Sequence, residues 1–293
     1  MNSHPLQRRL CYCLSHQTKR EEDQVSEAKI HSTAVISAEA QIDPTVSIGP
    51  YSVVEGPVQL AAGCVVGPHC YLSGHTLIGE NTQIFKGASV GDVPQDHSFA
   101  SGTVSYTEIG ANCAIREYVT IHRAADEGGR TVIGDHCMIM ACTHVAHNCL
   151  LADHVNVANN VILAGHIEVG PRAFISGAVV MQQFVRVGTL AMVGAQARIP
   201  KDIPPYCMIG KGSVVSGANV IGLKRAEIGP SARKAIRSAL RQIYFSADTL
   251  PTQAVEQVAA EFADCPEVQV LVEFIRSAKR GTMAARRGPR DDA

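Results

Sequence analysis

VNVANNVILAGHIEVGPRAFISGAVVMQQFVRVGTLAMVGAQARI, residues Val155 to Ile199, returns an aliphatic side chain at every sixth position: Val157, Leu163, Val169, Ile175, Met181, Val187, Val193 and Ile199. A compact residue, here Val or Ala, stands four places after most members of the series. Working outward, the same beat reaches back to Ile30 through Ile36, Ile42, Ile48, Val54, Leu60, Val66, Leu72, Ile78, Ile84 and Val90, and then through Ile109, Ile115, Ile121, Ile133, Ile139, Val145 and Leu151. A helix repeats its apolar face every 3.6 residues and an ordinary strand every 2. A period of six predicts a parallel β-helix, with one short strand and one turn per repeat. Three repeats close a triangular coil, so residues about 18 apart stack at the strand spacing of roughly 4.8 Å. The aliphatic series becomes a ladder inside the coil. Cys64, Cys70, Cys113, Cys137 and Cys149 fall on the compact position of their repeats, the use of cysteine as a small buried hydrophobe.

Composition narrows the function classes. The formal net charge is -1, so bulk electrostatics favour neither nucleic acid nor a membrane surface. No apolar run is long enough to predict a spanning helix. Ten cysteines in a chain of this length without a secretion signal point to a reducing, cytoplasmic compartment rather than a disulfide framework. Cys11 and Cys13 have no second pair at metal-ligand spacing, so no zinc site is expected there. Trp is absent, as suits coils with a narrow interior.

The chain divides into four parts. Residues 1–29 are polar and of mixed charge, a flexible extension. Residues 30–210 form the β-helix, interrupted at Asp92 to Glu108, where the beat slips by one residue, and near Ala124 to Arg130, where Gly128 and Gly129 mark a turn. Loops leaving a strict solenoid are where function tends to lie. Residues 211–279 hold a connector (Lys211 to Leu223) and helices over Ser231–Phe245, Thr252–Ala263 and Glu267–Ala278, read from three- and four-residue apolar spacing and from Pro230 in a first turn. Residues 280–293 are rich in Gly and Arg, and a disordered tail is expected.

Chemistry concentrates in CTHVAHNC, Cys142 to Cys149, and in AGHI, Ala164 to Ile167. His166 follows His147 by little more than one full coil, which makes them neighbours on successive coils, with His144 around a corner. His147 falls at an outward-tending position of its repeat. Three readings are open on these residues alone: exposed histidines on a polar face, a zinc site that lacks an evident fourth ligand, or general-base catalysis by a group titrating near working pH. The last fits best.

With these residues in view, the chain resembles the UDP-N-acetylglucosamine O-acyltransferases of lipid A synthesis. The resemblance rests on the beat, Gln95-Asp96, IREYVTIHR at Ile115 to Arg123, HVAHN at His144 to Asn148, LAGH at Leu163 to His166, Gln183-Phe184, IPPY at Ile203 to Tyr206, and NVIGLKR at Asn219 to Arg225. It implies a mainly β, left-handed parallel β-helix with a C-terminal helical bundle. It also implies a homotrimer with active sites between subunits, and transfer of an (R)-3-hydroxyacyl chain from acyl carrier protein to the 3-hydroxyl of UDP-N-acetylglucosamine, without cofactor or metal.

Carried over by position, His147 is the general base and Gly165 N–H the oxyanion donor. Gln95, Asp96, His144, His166, Gln183, Asn219 and Arg225 line the substrate cleft. Ala195 floors the acyl groove, where glycine admits a longer chain. The chain departs from the family pattern at Asn148, where Asp is common after the base, at Gln182 in place of a second cleft histidine, and at Ser98, Ile221 and Ala226 in place of Lys, Glu and Arg. An amine in place of the acceptor 3-hydroxyl is the alternative chemistry. The other rivals are the related N-acyltransferase, whose extra N-terminal domain is missing here, an acetyl-CoA-dependent hexapeptide enzyme, and a non-catalytic scaffold. Lys224, Arg225, Arg233, Lys234, Arg237 and Arg241 offer a basic face for an acidic carrier protein.

Overall fold

The six-residue beat becomes three parallel sheets. The structure, a computed structural model, describes residues 29–246 and 251–285. The extension through residue 28, Cys11 and Cys13 included, and the tail from residue 286 lie outside the described residues. Strands of two to five residues stack into a first sheet of eleven, a second of nine and a third of eight, parallel throughout except for the last pair of the first sheet. The register is the aliphatic ladder itself: Ile139, Val157, Ile175 and Val193 pair in series in the first sheet. Val145, Leu163, Met181 and Ile199 do so in the second, and Ile133, Leu151, Val169 and Val187 in the third. Each of these side chains is buried. The fold is the left-handed parallel β-helix with C-terminal helices that the sequence predicts.

Turning from one sheet to the next takes one residue in the left-handed region, and these residues keep the period: Cys142, Asn148, His154, Asn160, His166, Arg172, Ala178, Phe184, Leu190 and Gln196 all have φ between 55° and 64°. The compact residue that follows points inward. All five cysteines placed on that position are buried, and each thiol donates to a backbone carbonyl one coil on, as Cys149 Sγ does to Ala164 O at 3.1 Å.

Two insertions break the stack. Ile78 pairs with Ile109, and Ile109 with Ile133, each partner lying further along the chain than a plain coil would place it. The first inserted segment leaves after the strand Ser89–Asp92 and the second after Thr120–His122, both in the second sheet. Both therefore emerge at the same edge, where the second sheet turns into the third.

The two ends of the coil differ. In the first turn Ile30 is exposed and Ile36 and Ile42 are half-buried, while Ile48, Val54 and Leu60 one coil on are buried. The far end is closed by an antiparallel pair, Cys207–Gly210 with Val214–Ala218, and by four helices: α1 (Val220–Arg225), α2 (Pro230–Phe245), α3 (Pro251–Glu261) and α4 (Pro266–Arg276). Apolar faces such as Ile236, Leu240 and Ile243 of α2 and Val268, Leu271 and Val272 of α4 are buried.

Two expectations need correction here. The span read as a connector, Lys211 to Leu223, contains the strand Val214–Ala218 and the start of α1, which Asn219 caps by accepting from Gly222 N–H at 2.9 Å. Capping, rather than apolar periodicity, starts this short helix. The segment read as disordered from Arg280 is ordered as far as Ala285. Met283 is buried and its N–H donates to Asp202 O at 2.8 Å, Val215 N–H donates to Ala284 O at 2.9 Å, and Tyr244 and Thr282 hydroxyls bond at 2.8 Å. A composition rich in Gly and Arg conceals one apolar anchor and a strand-like backbone pairing.

Candidate active site

The edge between the second and third sheets collects most of the residues singled out by sequence. On successive coils it carries His147, then Gly165 and His166, then Gln183 and Phe184. Their backbones are joined by His166 N–H to His147 O at 3.0 Å and Phe184 N–H to Gly165 O at 3.1 Å. Both insertions begin on the same edge, which places Gln95 and Asp96 on the first and the turn at Asp126 on the second.

His147 is 8% exposed, so its outward-tending position does not leave it in solvent. The His166 ring meets it edge to face, 5.2 Å between centroids. The Asn148 carbonyl oxygen, Oδ1, lies 2.9 Å from His147 Nδ1 and also accepts from Ala125 N–H at 3.0 Å. The other end of that amide, Nδ2, donates to Asp126 Oδ1. With donor on one side and acceptor on the other, the amide has one orientation. An amide oxygen only accepts, so Nδ1 carries the proton and Nε2 keeps its lone pair. Gly165 makes room for this ring: a β-carbon there would stand 2.6 Å from His147 Cε1 and 2.7 Å from Nε2. Among the described residues, no backbone acceptor engages Gly165 N–H.

The neighbouring imidazoles are held neutral. Burial, and then the like charge of His147, lowers the pKa of both His144 and His166. His144 Nδ1 lies 2.7 Å from Thr120 Oγ1, and His166 stacks on Phe184 with centroids 4.5 Å apart. His122 packs edge to face on His144 at 4.9 Å. Burial, then the like charge of His144, pushes His122 down to about 4, and its Nδ1 is buried with no hydrogen-bond partner among the described residues. The reading of the three histidines as an exposed polar face does not survive, because His147 is buried and the other two are partly covered. Among the described residues, no group of three or more His, Cys, Asp or Glu is placed to hold a metal ion.

On the first insertion, Asp96 accepts from Ser98 N–H at 2.9 Å and from its hydroxyl at 2.8 Å. These two bonds, the backbone one first, hold its carboxyl below the usual range. Ser98 thus engages the carboxylate directly. Gln95 is exposed. Arg123 lies over the Phe99 ring at 5.4 Å, tying this insertion to the strand that carries His122.

Three of the candidate residues lie elsewhere in the chain. Ala195 is exposed on the turn from the first sheet to the second, a different edge from His147. Asn219 is committed at both ends of its amide, to Gly222 N–H and to Leu190 O at 2.9 Å each. Arg225 is exposed in the last turn of α1. Gln183 is exposed too, its carbonyl accepting from Arg280. A cleft of about 800 Å³ opens beside His166, lined also by Asp126, Arg130, Asn148, Phe184, Lys279 and Arg280. A second hollow of about 640 Å³, between the third sheet and α4, contains none of the histidines.

Sequence reasoning missed His122, Asp126 and Phe184 as parts of this site. Phe184 was within reach, one full coil beyond His166 and so stacked on it. His122 and Asp126 flank an insertion, and their alignment with His144 and Asn148 depends on its length.

Comparison with known proteins places the chain in a family. The profile described as UDP N-acetylglucosamine O-acyltransferase, domain 2, matches residues 202–283, and that of the bacterial transferase hexapeptide (six repeats) matches residues 130–165. The acyl-[acyl-carrier-protein]--UDP-N-acetylglucosamine O-acyltransferase of Chlamydia abortus is 44% identical over 255 residues, 86% of this chain and 90% of that protein. The chain belongs to the UDP-N-acetylglucosamine O-acyltransferase family. A second family member, from Gloeothece citriformis, is 42% identical over 74% of this chain and 78% of its own. Among solved members, LpxA, a UDP-N-acetylglucosamine acyltransferase from Bacteroides fragilis, superposes with a TM-score of 0.83 at 36% identity, covering 86% of this chain and 99% of that one. The Francisella novicida UDP-N-acetylglucosamine acyltransferase does so at 0.82 and 32%, covering 89% and 95%.

Proposed function

We propose that this acyltransferase moves an (R)-3-hydroxyacyl group from acyl carrier protein to the 3-hydroxyl of UDP-N-acetylglucosamine in the cytoplasm, with His147 as general base. The observation that carries the reading is the fixed imidazole, with Nδ1 bonded to an amide oxygen and Nε2 left free to take a proton. Nε2 removes the proton of the sugar hydroxyl as its oxygen bonds to the thioester carbonyl carbon. Gly165 N–H stabilises the negative charge on the carbonyl oxygen. When the tetrahedral species collapses, the C–S bond breaks and the imidazolium returns its proton to the departing thiolate. No side-chain nucleophile is used. His144 and His166, held neutral by burial, keep a second positive charge away from the base. Gln95, Asp96 and Gln183 contact the sugar nucleotide.

The working unit is a homotrimer. Ala195, Asn219 and Arg225 sit away from the His147 edge within one chain, and a neighbouring subunit supplies them to it, with Arg225 on the nucleotide phosphates. Flat solenoid faces pair with identical faces under cyclic symmetry. The carrier protein, being acidic, docks on Lys224, Arg225, Arg233, Lys234, Arg237 and Arg241, which are carried by α1 and α2. Among the described residues none of them forms a salt bridge.

The test is a ladder of (R)-3-hydroxyacyl carrier proteins with UDP-N-acetylglucosamine, read by mass spectrometry. Mono-acylated product that is lost in His147→Ala is expected, with Ala195→Gly favouring a longer donor. Product only with a 3-amino sugar nucleotide would change the acceptor. No product with either acceptor would leave a scaffold.

A further inference from the structure

Asp126 stands on the second insertion, in a turn without counterpart elsewhere in the beat. The turn is tied twice to Val104 on the first insertion: Gly128 N–H donates to Val104 O at 2.8 Å, and the Glu127 carboxylate accepts from Val104 N–H at 3.0 Å. The carboxylate of Asp126 folds back over its own turn. A β-carbon at Gly129 would stand 2.5 Å from its Oδ2 and 2.8 Å from its Oδ1, so a side chain at residue 129 would displace the carboxylate. What the carboxylate reaches is Asn148 Nδ2, and the far end of that amide reaches His147 Nδ1. A carboxylate, an amide and an imidazole are therefore in series, drawn from two successive coils.

We propose that Asp126 and Asn148 act together as the orienting carboxylate of the base, with the charge one residue removed from the ring. The proposal rests on His147 being the base of the proposed reaction. A carboxylate accepting from the amide N–H increases electron density on the amide oxygen, because the two ends of an amide are conjugated. The oxygen then stabilises His147 Nδ1–H, and the imidazolium formed during proton transfer, more than an isolated amide does. The negative charge of Asp126 adds to this through space, and it also favours the charged form of His166. Asp126 does not touch the reacting atoms and Asn148 acts through the ring, so both are positioning residues. The other titratable groups facing His147 are His144 on the strand before it, His166 on the next coil, His122 on the preceding one, and Asp96 on the first insertion. All of them are unchanged in the variants below.

The experiment compares Asp126→Asn, Asn148→Asp and the exchanged pair Asp126→Asn/Asn148→Asp with the unaltered protein. Asp126→Asn is expected to lower kcat about tenfold with little change in KM. Asn148→Asp alone sets two carboxylates against each other and is also expected to lower activity. The exchanged pair keeps one charge and one amide in the same two places, and is expected to recover activity to within about threefold. Nitrogen-15 NMR of the His147 ring, which needs no turnover, is expected to report less Nδ1–H tautomer in Asp126→Asn and its return in the exchanged pair. Unchanged kinetics and tautomer in Asp126→Asn would overturn the proposal, as would an exchanged pair no better than the single variants while still folded by circular dichroism. If the unaltered protein itself makes no product, the proposed reaction fails, and the NMR comparison still decides whether Asp126 sets the state of the ring.

Discussion

At position 165 the backbone passes directly beneath the His147 ring, and the hydrogen there is what admits it. Gly165→Ala places a methyl 2.6 Å from His147 Cε1, so the ring must move. The fold is expected to tolerate this, because residue 165 has no positive φ and the ring can swing away. Turnover is expected to fall about a hundredfold, with the thermal midpoint little changed from that of the unaltered protein. His122 makes a different prediction. The fold holds it at about 4, whereas an unfolded histidine titrates near 6.5, so below pH 6.5 the unfolded chain binds a proton that the folded one refuses. Stability from this group is complete above about pH 6.5, declines as pH falls toward 4 and levels off below. The loss is on the order of 3 kcal/mol. In His122→Gln the denaturation midpoint is expected to fall less steeply between pH 6.5 and 4. That His147 and His166 are neighbours was legible in the sequence because both lie on the undisturbed part of the stack. Asp126 and His122 were not, because an insertion separates them from Asn148 and His144, and only the folded turn fixes its own phase.

Between elements, Arg186 joins the coil to the helices. Asp202, 2% exposed, accepts from Arg186 N–H and Nε–H at 2.9 Å each and pairs with Arg186 Nη2 at 2.8 Å. The same guanidinium lies 4.4 Å over the Phe274 ring and donates to Phe274 O and Ser277 Oγ at the end of α4. Removing the buried acceptor leaves a cation without its partner, so Asp202→Ala is expected to cost about 3 kcal/mol, measured as a shift in the denaturant midpoint. The three longer helices could be read from apolar spacing, with their starts misplaced by a single position. Neither α1 nor the ordered stretch through Ala285 could be, since one depends on a cap and the other on pairing with strands far away in sequence.

For the molecule as a whole, the register of nearly every strand follows from counting by six, which is why the architecture was legible and its assembly was not. The second sheet continues the His144 ladder outward through Ile162 and Val180, and Ile162 is 47% exposed. An apolar stripe beside the site is the face on which a trimer is proposed to close. Sedimentation is expected to give three times 31.2 kDa for the unaltered chain and smaller species for Ile162→Asp. An unchanged trimer would place the contact on another face. The unequal ends of the coil have a consequence in time. Each coil is held only by its neighbours, and among the described residues the first has a neighbour on one side alone. Amide hydrogen exchange should therefore run as a wave, fastest from residue 29 onward and progressively slower toward the helices. By that ordering His147, on a mid-stack coil with intact coils on either side, is insulated from the fraying rim.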